Sequence, residues 1–457
     1  MEGCTGVFRT ERPPVLASTL SALASQYKVP GAQVAVHENG RTAAAEFGDL
    51  AYGAGRPVTA DAAFPVGSVT KSCTATLAMI LVADGDLELD APVAEYLPEL
   101  GDLGDGVTVG RLLCHTSGLA ADADSDQAAT ASRRRYVQNH CRRRLLIQRP
   151  GAGFSYSNLG YVLAGHLIET VTGLGWHEAM ESVLLRPLGI EPAFVASDRR
   201  PGRPVATGHS VRAGLGRTRP VQQSLSAAEA PAGGLALSAT DLVALASLHL
   251  APGRPALLPA AAAQRMRRAV PRAEPFGIAD GWALGLAVYR HGGTRWYGHD
   301  GNGNGTACYY RVDPVAGTVI AFTSNASTGY DMWQALLDEL GRAGMPVGRY
   351  RSPSSGRPVP TPPGCLGSYA NGDLEYAVTA TKDGCFRVTV EGEVFDRIVC
   401  RDDLTFSLPA AEGSQQLVTG RFVLDPATGK VDGIQVGGRL ARRQDTPARG
   451  NRHRLTA

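Results

Sequence analysis

A serine and a lysine three residues apart, Ser68 and Lys71, form the pattern S-x-x-K. If the segment is helical, the two side chains lie on one face a single turn apart, and the lysine amine can reach the serine hydroxyl. A neutral amine there can take the hydroxyl proton, so that the oxygen attacks a carbonyl group. Only four of the 45 basic residues are lysines, and arginine cannot lose its proton in a protein. We therefore predict Ser68 as a nucleophile and Lys71 as its base.

The same pattern occurs a second time, at Ser25 and Lys28. There Pro30 disfavours helix just after the lysine. Residues 72–83, after the first pair, instead carry apolar side chains at helical spacing and are followed by an Asp-Gly-Asp stop. We therefore interpret the pair at Ser25 as a chance match. A helix that begins near Ser68 also favours negative charge developing on its oxygen.

Two later segments supply groups that such a nucleophile needs. Tyr156 and Asn158 form a Y-x-N pattern in a loop, directly before an apolar helical stretch. Tyr156 can share a proton with Lys71 and Ser68. Asn158 can hold the lysine and orient a substrate amide. The triplet from His299 to Gly301 precedes a glycine-rich run, whose backbone a substrate can approach closely.

In this order the three patterns resemble those of the penicillin-binding protein and class C β-lactamase superfamily. Leu113 to Leu119 looks like the recurrent L-x-H-T-S-G-L segment of that superfamily, and the resemblance covers roughly residues 15–345. We interpret His115 and Ser117 as parts of a structural turn, and Gly233-Gly234 as backbone that lines the site. The chain has no G-x-S-x-G pattern, which argues against an α/β-hydrolase nucleophile.

The resemblance implies a role for each candidate residue. Ser68 would form an acyl-enzyme, and Lys71 and Tyr156 would relay its proton. The backbone N–H groups of Ser68 and Asn302 would form the oxyanion hole, with Gly301 beside it in the substrate-binding edge. No metal or organic cofactor is predicted.

His299 stands where the lactamases of this superfamily carry lysine, which resembles the esterase, D-aminopeptidase and transacylase branches. Together with the added C-terminal β-domain, it resembles the penicillin-binding-protein-type thioesterases, stand-alone enzymes that release nonribosomal peptides from a carrier protein by cyclisation. The resemblance implies that Ser68 takes a peptidyl group from a carrier thioester and that the peptide's own amine then attacks. An arginine near the end of the β-domain, Arg442 or Arg443, would bind a carboxylate of the substrate.

Three other functions fit the same residues. The chain could be a cytoplasmic esterase or D-aminopeptidase of the same fold, which hydrolyses its acyl-enzyme. It could be a transacylase that forms an amide from a simple ester. It could also be a catalytically silent binding protein that has kept the pocket.

A Pro- and Ser-rich stretch, residues 346–363, predicts an extended linker between two domains. Residues 1–345 mix strand and helix patterns, which, with the resemblance, predicts an α/β (α+β) β-lactamase/transpeptidase-like domain: an antiparallel sheet flanked by helices plus an all-α region. Residues 364–457 alternate short β-branched runs with turns and predict a small antiparallel β-barrel, lipocalin-like by the resemblance. Residues 282–289 and 434–440 are each predicted as one strand.

Composition excludes several classes of protein. The formal net charge of +2 does not indicate a basic surface that binds nucleic acid. No apolar run is long enough to cross a membrane. The first residues lack the apolar core of a secretory signal, so we expect a cytoplasmic enzyme. The eight cysteines show no C-x-x-C pair, so reduced thiols are expected rather than disulfides or a zinc site.

Two arginine runs, 133–135 and 142–144, flank a predicted helix. Such runs usually form a solvated face. A more specific hypothesis is that the two runs form a docking surface for an acidic peptidyl carrier protein.

Overall fold

In a computed structural model of the chain, the described residues are 12–196, 201–352, 356–409 and 417–444. They form two large hydrophobic cores, one built by residues 16–347 and the other by residues 365–441, and a small separate cluster of Ala63, Ala193 and Ala236. The helices are α1 (Arg12–Tyr27), α2 (Thr70–Asp84), α3 (Val93–Tyr96), α4 (Val109–Leu113), α5 (Ser125–Thr130), α6 (Arg133–His140), α7 (Asn158–Thr172), α8 (Trp176–Ala179), α9 (Ala230–Gly233), α10 (Ala239–Ala246), α11 (Ala260–Met266) and α12 (Gly329–Arg342).

The strands divide between the two cores. Those of the first part are β1 (Gly31–Glu38), β2 (Arg41–Gly48), β3 (Phe64–Pro65), β4 (Gly208–Arg212), β5 (Arg217–Val221), β6 (Ala236–Leu237), β7 (Gly281–Trp282), β8 (Ala287–His291), β9 (Thr294–Gly303), β10 (Thr306–Asp313) and β11 (Thr318–Ser324). Those of the second part are β12 (Pro358–Val359), β13 (Gly367–Asn371), β14 (Leu374–Ala380), β15 (Phe386–Val390), β16 (Glu393–Ile398), β17 (Cys400–Arg401), β18 (Thr405–Pro409), β19 (Leu417–Leu424), β20 (Val431–Val436) and β21 (Arg439–Arg443).

A seven-stranded antiparallel sheet, in the order β2-β1-β11-β10-β9-β8-β7, organises the first domain. Every residue of β10 and β11 is buried, so helices must cover both faces of the sheet. The helices α1 and α12 pack against each other and the sheet, and α2 and α10 pack against the sheet as well. The remaining helices form an all-α region around α2 and α7. This arrangement confirms the predicted fold class.

Helix α2 lies in the interior of this domain. Residues 70–81 are all buried, and the buried hydroxyl groups of Ser72, Thr74 and Thr76 donate to backbone carbonyl groups. It ends at Gly85, which adopts a left-handed conformation with φ of 88°. The N-terminus of α2 faces strand β9, and this brings the two segments with candidate chemistry together.

The second domain is a small antiparallel barrel, as predicted. Its eight strands follow the order β16-β15-β14-β13-β21-β20-β19-β18, and the end strands β16 and β18 lie against each other, so the barrel nearly closes. Aromatic side chains fill its interior: the ring of Phe406 lies 5.2 Å from those of Phe386 and Phe422. The barrel therefore has a packed core of its own.

Two single-strand predictions were wrong, because each stretch contains a turn that needs glycine. Residues 282–289 form the hairpin β7–β8, and Gly285 in its turn has a φ of 73° and presses against Ala75 of α2. Residues 434–440 form the hairpin β20–β21, with Gly437 and Gly438 both at positive φ. A two-residue turn with two positive φ values matches the twist of the strands beside it.

Part of the predicted linker is a strand. Pro358 and Val359 pair with Arg401 and Cys400, so this stretch is joined to the barrel. None of the seven described cysteines forms a disulfide bond, and all but Cys385 are buried. None of the helices in the described ranges is long and apolar enough to span a bilayer.

The aromatic cluster should dominate the stability of the barrel. We expect Phe406→Ala to lower the free energy of unfolding by about 3–5 kcal/mol, since it removes a fully buried ring between two others. The matched control Val394→Ala removes a side chain that is 51% exposed on the same barrel and should change it by less than about 0.5 kcal/mol. Urea unfolding followed by far-ultraviolet circular dichroism measures both. Equal losses in the two variants would contradict the packed core.

Candidate active site

Ser68 lies in a 3-10 turn, Gly67–Val69, that leads directly into α2. Strand β9 crosses this turn at backbone distance. A Cβ atom on Gly67 would lie 2.3 Å from the carbonyl oxygen of Asn302, and one on Gly301 would lie 2.0 Å from that of Val66. Glycine is therefore required at both positions, and Ser68 and Asn302 meet at one point of the cleft.

Lys71 and Ser68 adopt the predicted geometry. The Nζ atom of Lys71 lies 3.1 Å from the Oγ atom of Ser68 and 2.7 Å from the carbonyl oxygen of Ala232. Burial lowers the pKa of Lys71 from 10.5 to about 7; the carboxylate of Asp122 opposes this shift and the guanidinium of Arg439 adds to it. A neutral amine is thus available near neutral pH to take the serine proton.

The second S-x-x-K pair, Ser25 and Lys28, does not have this geometry. Helix α1 ends at Tyr27, and both Ser25 and Lys28 are exposed. Lys28 has a φ of 56°, outside the helical region. These two side chains therefore have no buried environment that could make the lysine a base.

Tyr156 completes the group around the nucleophile. Its ring centroid lies 5.0 Å from the Nζ atom of Lys71. Burial raises the pKa of the Tyr156 phenol above its usual value, and a hydrogen bond with Ser68 opposes the rise. The ring stacks on His115 at 4.2 Å, and the Nδ1 atom of His115 accepts a hydrogen bond from the backbone of Ser157. His115 thus supports the ring of Tyr156 from behind.

Asn158 begins helix α7, for which Ser157 is the N-cap. Its Nδ2 atom donates to the carboxylate of Asp122 at 2.8 Å. Lys71 instead donates to Ser68 and to the backbone carbonyl of Ala232, so the amide of Asn158 binds Asp122 rather than the lysine. Asn158 does line the cleft beside Ser68, where it can meet a substrate amide.

His299 is buried in β9 and lines the same cleft. Its Nδ1 atom lies 2.7 Å from the carbonyl oxygen of Asp300, which can only accept, so Nδ1 carries the proton. Burial lowers the pKa of His299 to about 3, and the nearby charge of Lys71 adds to this shift. The Nε2 atom is therefore an unprotonated acceptor, and it has no hydrogen-bond partner within the described structure.

The barrel enters the site through the β20–β21 turn, a contribution that the sequence analysis missed. The backbone N–H of Tyr156 donates to the carbonyl oxygen of Gly438 at 3.0 Å, and the N–H of Gly438 donates to Phe276. The next residue, Arg439, places its guanidinium 5.4 Å from the ring centroid of Tyr156 and lines the cleft. In the sequence, the Gly-Gly pair before Arg439 is the pattern that indicates this turn.

The two arginines predicted to bind substrate lie elsewhere, which corrects that assignment. Arg442 pairs with Asp432 at 2.7 Å. Arg443 donates to backbone carbonyl groups at residues 364, 366 and 431 and to the hydroxyl of Tyr369. Alternation along strand β21 puts Arg442 on the opposite face from Arg439, and Arg443, on the same face, lies four residues further along the strand from the cleft.

Two cavities meet at Ser68 and Asn302. One, of about 380 Å³, lies between the domains and is lined by Tyr156, His299 and Arg439. The other, of about 490 Å³, lies within the first domain and is lined by the residues Asn158, Glu229 and Gly233. A Cβ on Gly233 would make only ordinary contacts, at 3.5 Å or more.

The arginine runs are only partly exposed. Arg133 is buried and forms an ion pair with Glu169. Arg142 lies 3.3 Å from Asp102. Arg134, Arg135, Arg143 and Arg144 remain at the surface. In the part of the chain that the structure describes, no group of three His, Cys, Asp or Glu side chains could hold a metal ion.

Comparison with known proteins agrees with this geometry. Residues 16–341 match the beta-lactamase family. The penicillin-binding protein 4 of Amycolatopsis lactamdurans is 34% identical over 357 residues, which are 75% of this chain and 93% of that protein.

Solved structures extend the likeness to the barrel. The crystal structure of SurE is 41% identical with a TM-score of 0.85, and the match covers 94% of this chain and 99% of that one. The D-stereospecific amidohydrolase from Streptomyces sp. is 25% identical with a TM-score of 0.58, over 71% of this chain and 98% of that one.

The pKa of Lys71 sets the first prediction. The amine must be neutral to accept a proton, so the rate of Ser68 acylation should rise about tenfold per pH unit below pH 7 and level off above it. Inactivation by a fluorophosphonate at a series of pH values, followed by intact mass, measures this rate. Ser68→Ala should not be labelled. A rate that is flat between about pH 5.5 and 8.5 would exclude Lys71 as the titrating base.

The second prediction separates Arg439 from its neighbours. Because the charge of Arg439 lowers the pKa of Lys71, Arg439→Gln should shift the acid limb of the pH–rate profile to higher pH. Arg442→Gln is the matched control, since Arg442 pairs with Asp432 outside the cleft, and it should leave the profile in place. Equal shifts in both variants would contradict the assignment of Arg439 to the site.

Proposed function

The chain belongs to the beta-lactamase family, and we propose that it is a stand-alone serine acyl-transfer enzyme that cyclises peptides. In this proposal Ser68 takes a peptidyl group from the thioester of a carrier protein. The amine of the same peptide then releases it as a macrocycle. The substrate would come from nonribosomal peptide biosynthesis, and because carrier-bound peptides are made in the cytoplasm, the reaction would take place there.

The observation that carries the proposal is the pair of cavities that meet at Ser68. A hydrolase needs room for one acyl chain and a water molecule, whereas aminolysis needs room for an acyl chain and a second chain that brings the amine. The two cavities differ in character: one contains Arg439 and the neutral His299, and the other contains Glu229 and Asp126. Each can hold one end of a folded-back peptide.

The first half-reaction follows from the geometry around Lys71. Its neutral amine takes the proton of Ser68, whose oxygen attacks the thioester carbonyl. In this proposal the backbone N–H groups of Ser68 and Asn302 would stabilise the oxyanion. When the intermediate collapses, the carbon–sulfur bond breaks and the proton passes through Lys71 or Tyr156 to the departing thiolate.

The second half-reaction reverses these roles. The peptide amine attacks the ester carbonyl on Ser68, and Lys71 with Tyr156 removes the proton from the nitrogen. The ester carbon–oxygen bond breaks, and Ser68 regains its proton as the amide forms. Asn302 of strand β9 lines both cavities beside Ser68, so the acyl chain would lie along this strand.

His299 and Arg439 suit a peptide substrate better than a β-lactam. A neutral imidazole that presents an unprotonated Nε2 atom can accept a hydrogen bond from an N–H group, but it cannot neutralise a carboxylate. Arg439 supplies a fixed positive charge at the other side of the cavity, for a carboxylate or carbonyl oxygen of the peptide. We assign Arg439 this role in place of Arg442 and Arg443.

Two relatives favour a D-configured residue at the acylating end. SurE, 40% identical in this comparison, has been crystallised with D-Leu. The amidohydrolase from Streptomyces sp. is described as D-stereospecific. That second relative also supports the alternative function, hydrolysis by a D-aminopeptidase or esterase.

A single product analysis tests the reaction class. A linear peptide with a free N-terminal amine and a C-terminal D-residue, activated as a small-molecule thioester, should lose only its thiol and yield a cyclic product. Gain of one water in the released peptide would instead indicate a hydrolase. The same peptide with an acetylated N-terminus lacks the nucleophile and is the matched substrate control.

Two further comparisons sharpen this experiment. The diastereomer with an L-residue at the C-terminus should react at least about tenfold more slowly. Inverting that stereocentre would direct its side chain towards a different wall of the cavity. Ser68→Ala should lose at least about 10³-fold in turnover. A wild-type protein that is neither turned over nor labelled by a fluorophosphonate would support the silent binding protein.

A further inference from the structure

The hairpin β4–β5 carries three arginines on its exposed surface. Arg212 lies directly opposite Arg217 in the strand register, and Arg219 lies opposite Ser210. All four side chains are exposed and together line a depression of about 240 Å³. We call Arg212, Arg217 and Arg219 the hairpin arginine face.

This face holds a charge that the hairpin itself does not balance. The lining of the depression contains only the three arginines and Ser210, with no carboxylate. Like charges directly opposite each other on an antiparallel pair are destabilising. Elsewhere in the chain, arginines such as Arg203 and Arg349 pair with aspartates at 2.7 Å or less. An unbalanced face of this kind fits an anionic partner.

The hairpin is held firmly to the first domain. The Nδ1 atom of His209 donates to the carbonyl oxygen of Asn325 at 2.9 Å, and its Nε2 atom accepts from the backbone of Tyr52 at 3.1 Å. The N–H of Val211 donates to the hydroxyl of Ser327 at 2.9 Å. The arginines are thus presented on a fixed surface, which lowers the entropy cost of binding a partner.

The chain runs from this face directly into the cleft. After β5, Gln223, Ser224 and Leu225 line the cavity that contains Ser68. Asn304 holds this segment, since its side chain donates to the hydroxyl of Ser224 at 2.9 Å. Arg219 is six residues before Leu225, so their Cα atoms lie at most about 20 Å apart. A partner bound at the hairpin would sit beside the mouth of the active site.

Exposed apolar side chains flank the arginines. Leu215, in the loop of the hairpin, is 63% exposed, and Tyr52, whose backbone binds His209, is 65% exposed. Protein interfaces combine arginine and aromatic residues with apolar contacts in this way. The surface therefore suits a folded protein partner.

We propose that the hairpin arginine face is the docking surface for the acidic carrier protein that presents the peptidyl thioester. This inference rests on the proposed function, and it moves the docking site away from the arginine runs of the sequence analysis. In those runs Arg133 is buried and Arg142 lies next to Asp102, so part of their charge is already balanced. The carrier's acidic side chains and the phosphodiester of its prosthetic arm would pair with the hairpin arginines.

The test compares one peptide in two forms, as a small-molecule thioester and as a thioester on a carrier domain of net negative charge. For Arg217→Glu/Arg219→Glu we expect kcat/KM on the carrier-bound form to fall at least about tenfold. The hairpin arginines line neither cavity at Ser68, so the small thioester should react within about twofold of the wild-type rate. Added salt should weaken the wild-type reaction with the carrier but not with the small thioester.

The matched control is Arg143→Glu/Arg144→Glu, which reverses two exposed arginines of the run at 142–144. We expect it to react with both substrates as the wild type does. The docking proposal would be overturned if the hairpin variant kept its activity on the carrier-bound thioester or lost activity on both thioesters equally. It would also be overturned if the control variant showed the same loss as the hairpin variant. A wild-type protein that turned over neither thioester would instead overturn the proposed function, and the docking surface with it.

Discussion

The chemistry at Ser68 depends on keeping one lysine side chain away from water. In water the amine of Lys71 would be protonated at neutral pH and could not act as a base. The interior position of α2 removes this solvation and brings the pKa to about 7. The sheet and the all-α region provide this burial, because they enclose α2 along residues 70–81. The core of the first domain thus sets the pKa of Lys71.

Close backbone contact imposes the second constraint. The turn that carries Ser68 lies directly against strand β9, so that backbone groups of both segments meet at one point of the cleft. Glycine at positions 67 and 301 makes this approach possible. The neutral state of His299 follows from the same enclosure, because a second positive charge next to Lys71 would be unfavourable in a buried site. One buried environment therefore fixes the protonation of both the base and the histidine.

The barrel contributes to the site rather than forming a separate binding module. Its interior is filled by phenylalanine rings, whereas its β20–β21 turn binds the backbone of Tyr156 and delivers Arg439 to the cleft. The cavity between the domains exists only when both are docked. The cavity within the first domain opens beside the segment that follows strand β5, so both domains line the space around Ser68.

Short-range spacing was enough to predict that the side chains of Ser68 and Lys71 meet, since they lie within one helical turn, and the order of the later patterns was enough to predict the family. It also predicted the helices α2 and α7 and the small barrel, because periodicity and turn residues act locally. The sequence by itself could not place Arg439 in the cleft, nor show that Arg133 and Arg142 are paired with acidic residues. Those outcomes depend on contacts between segments far apart in the chain: a Gly-Gly turn docked on Tyr156, and helices packed against one another. Burial and charge balance arise only when such segments meet, and for that reason only the tertiary structure decided them.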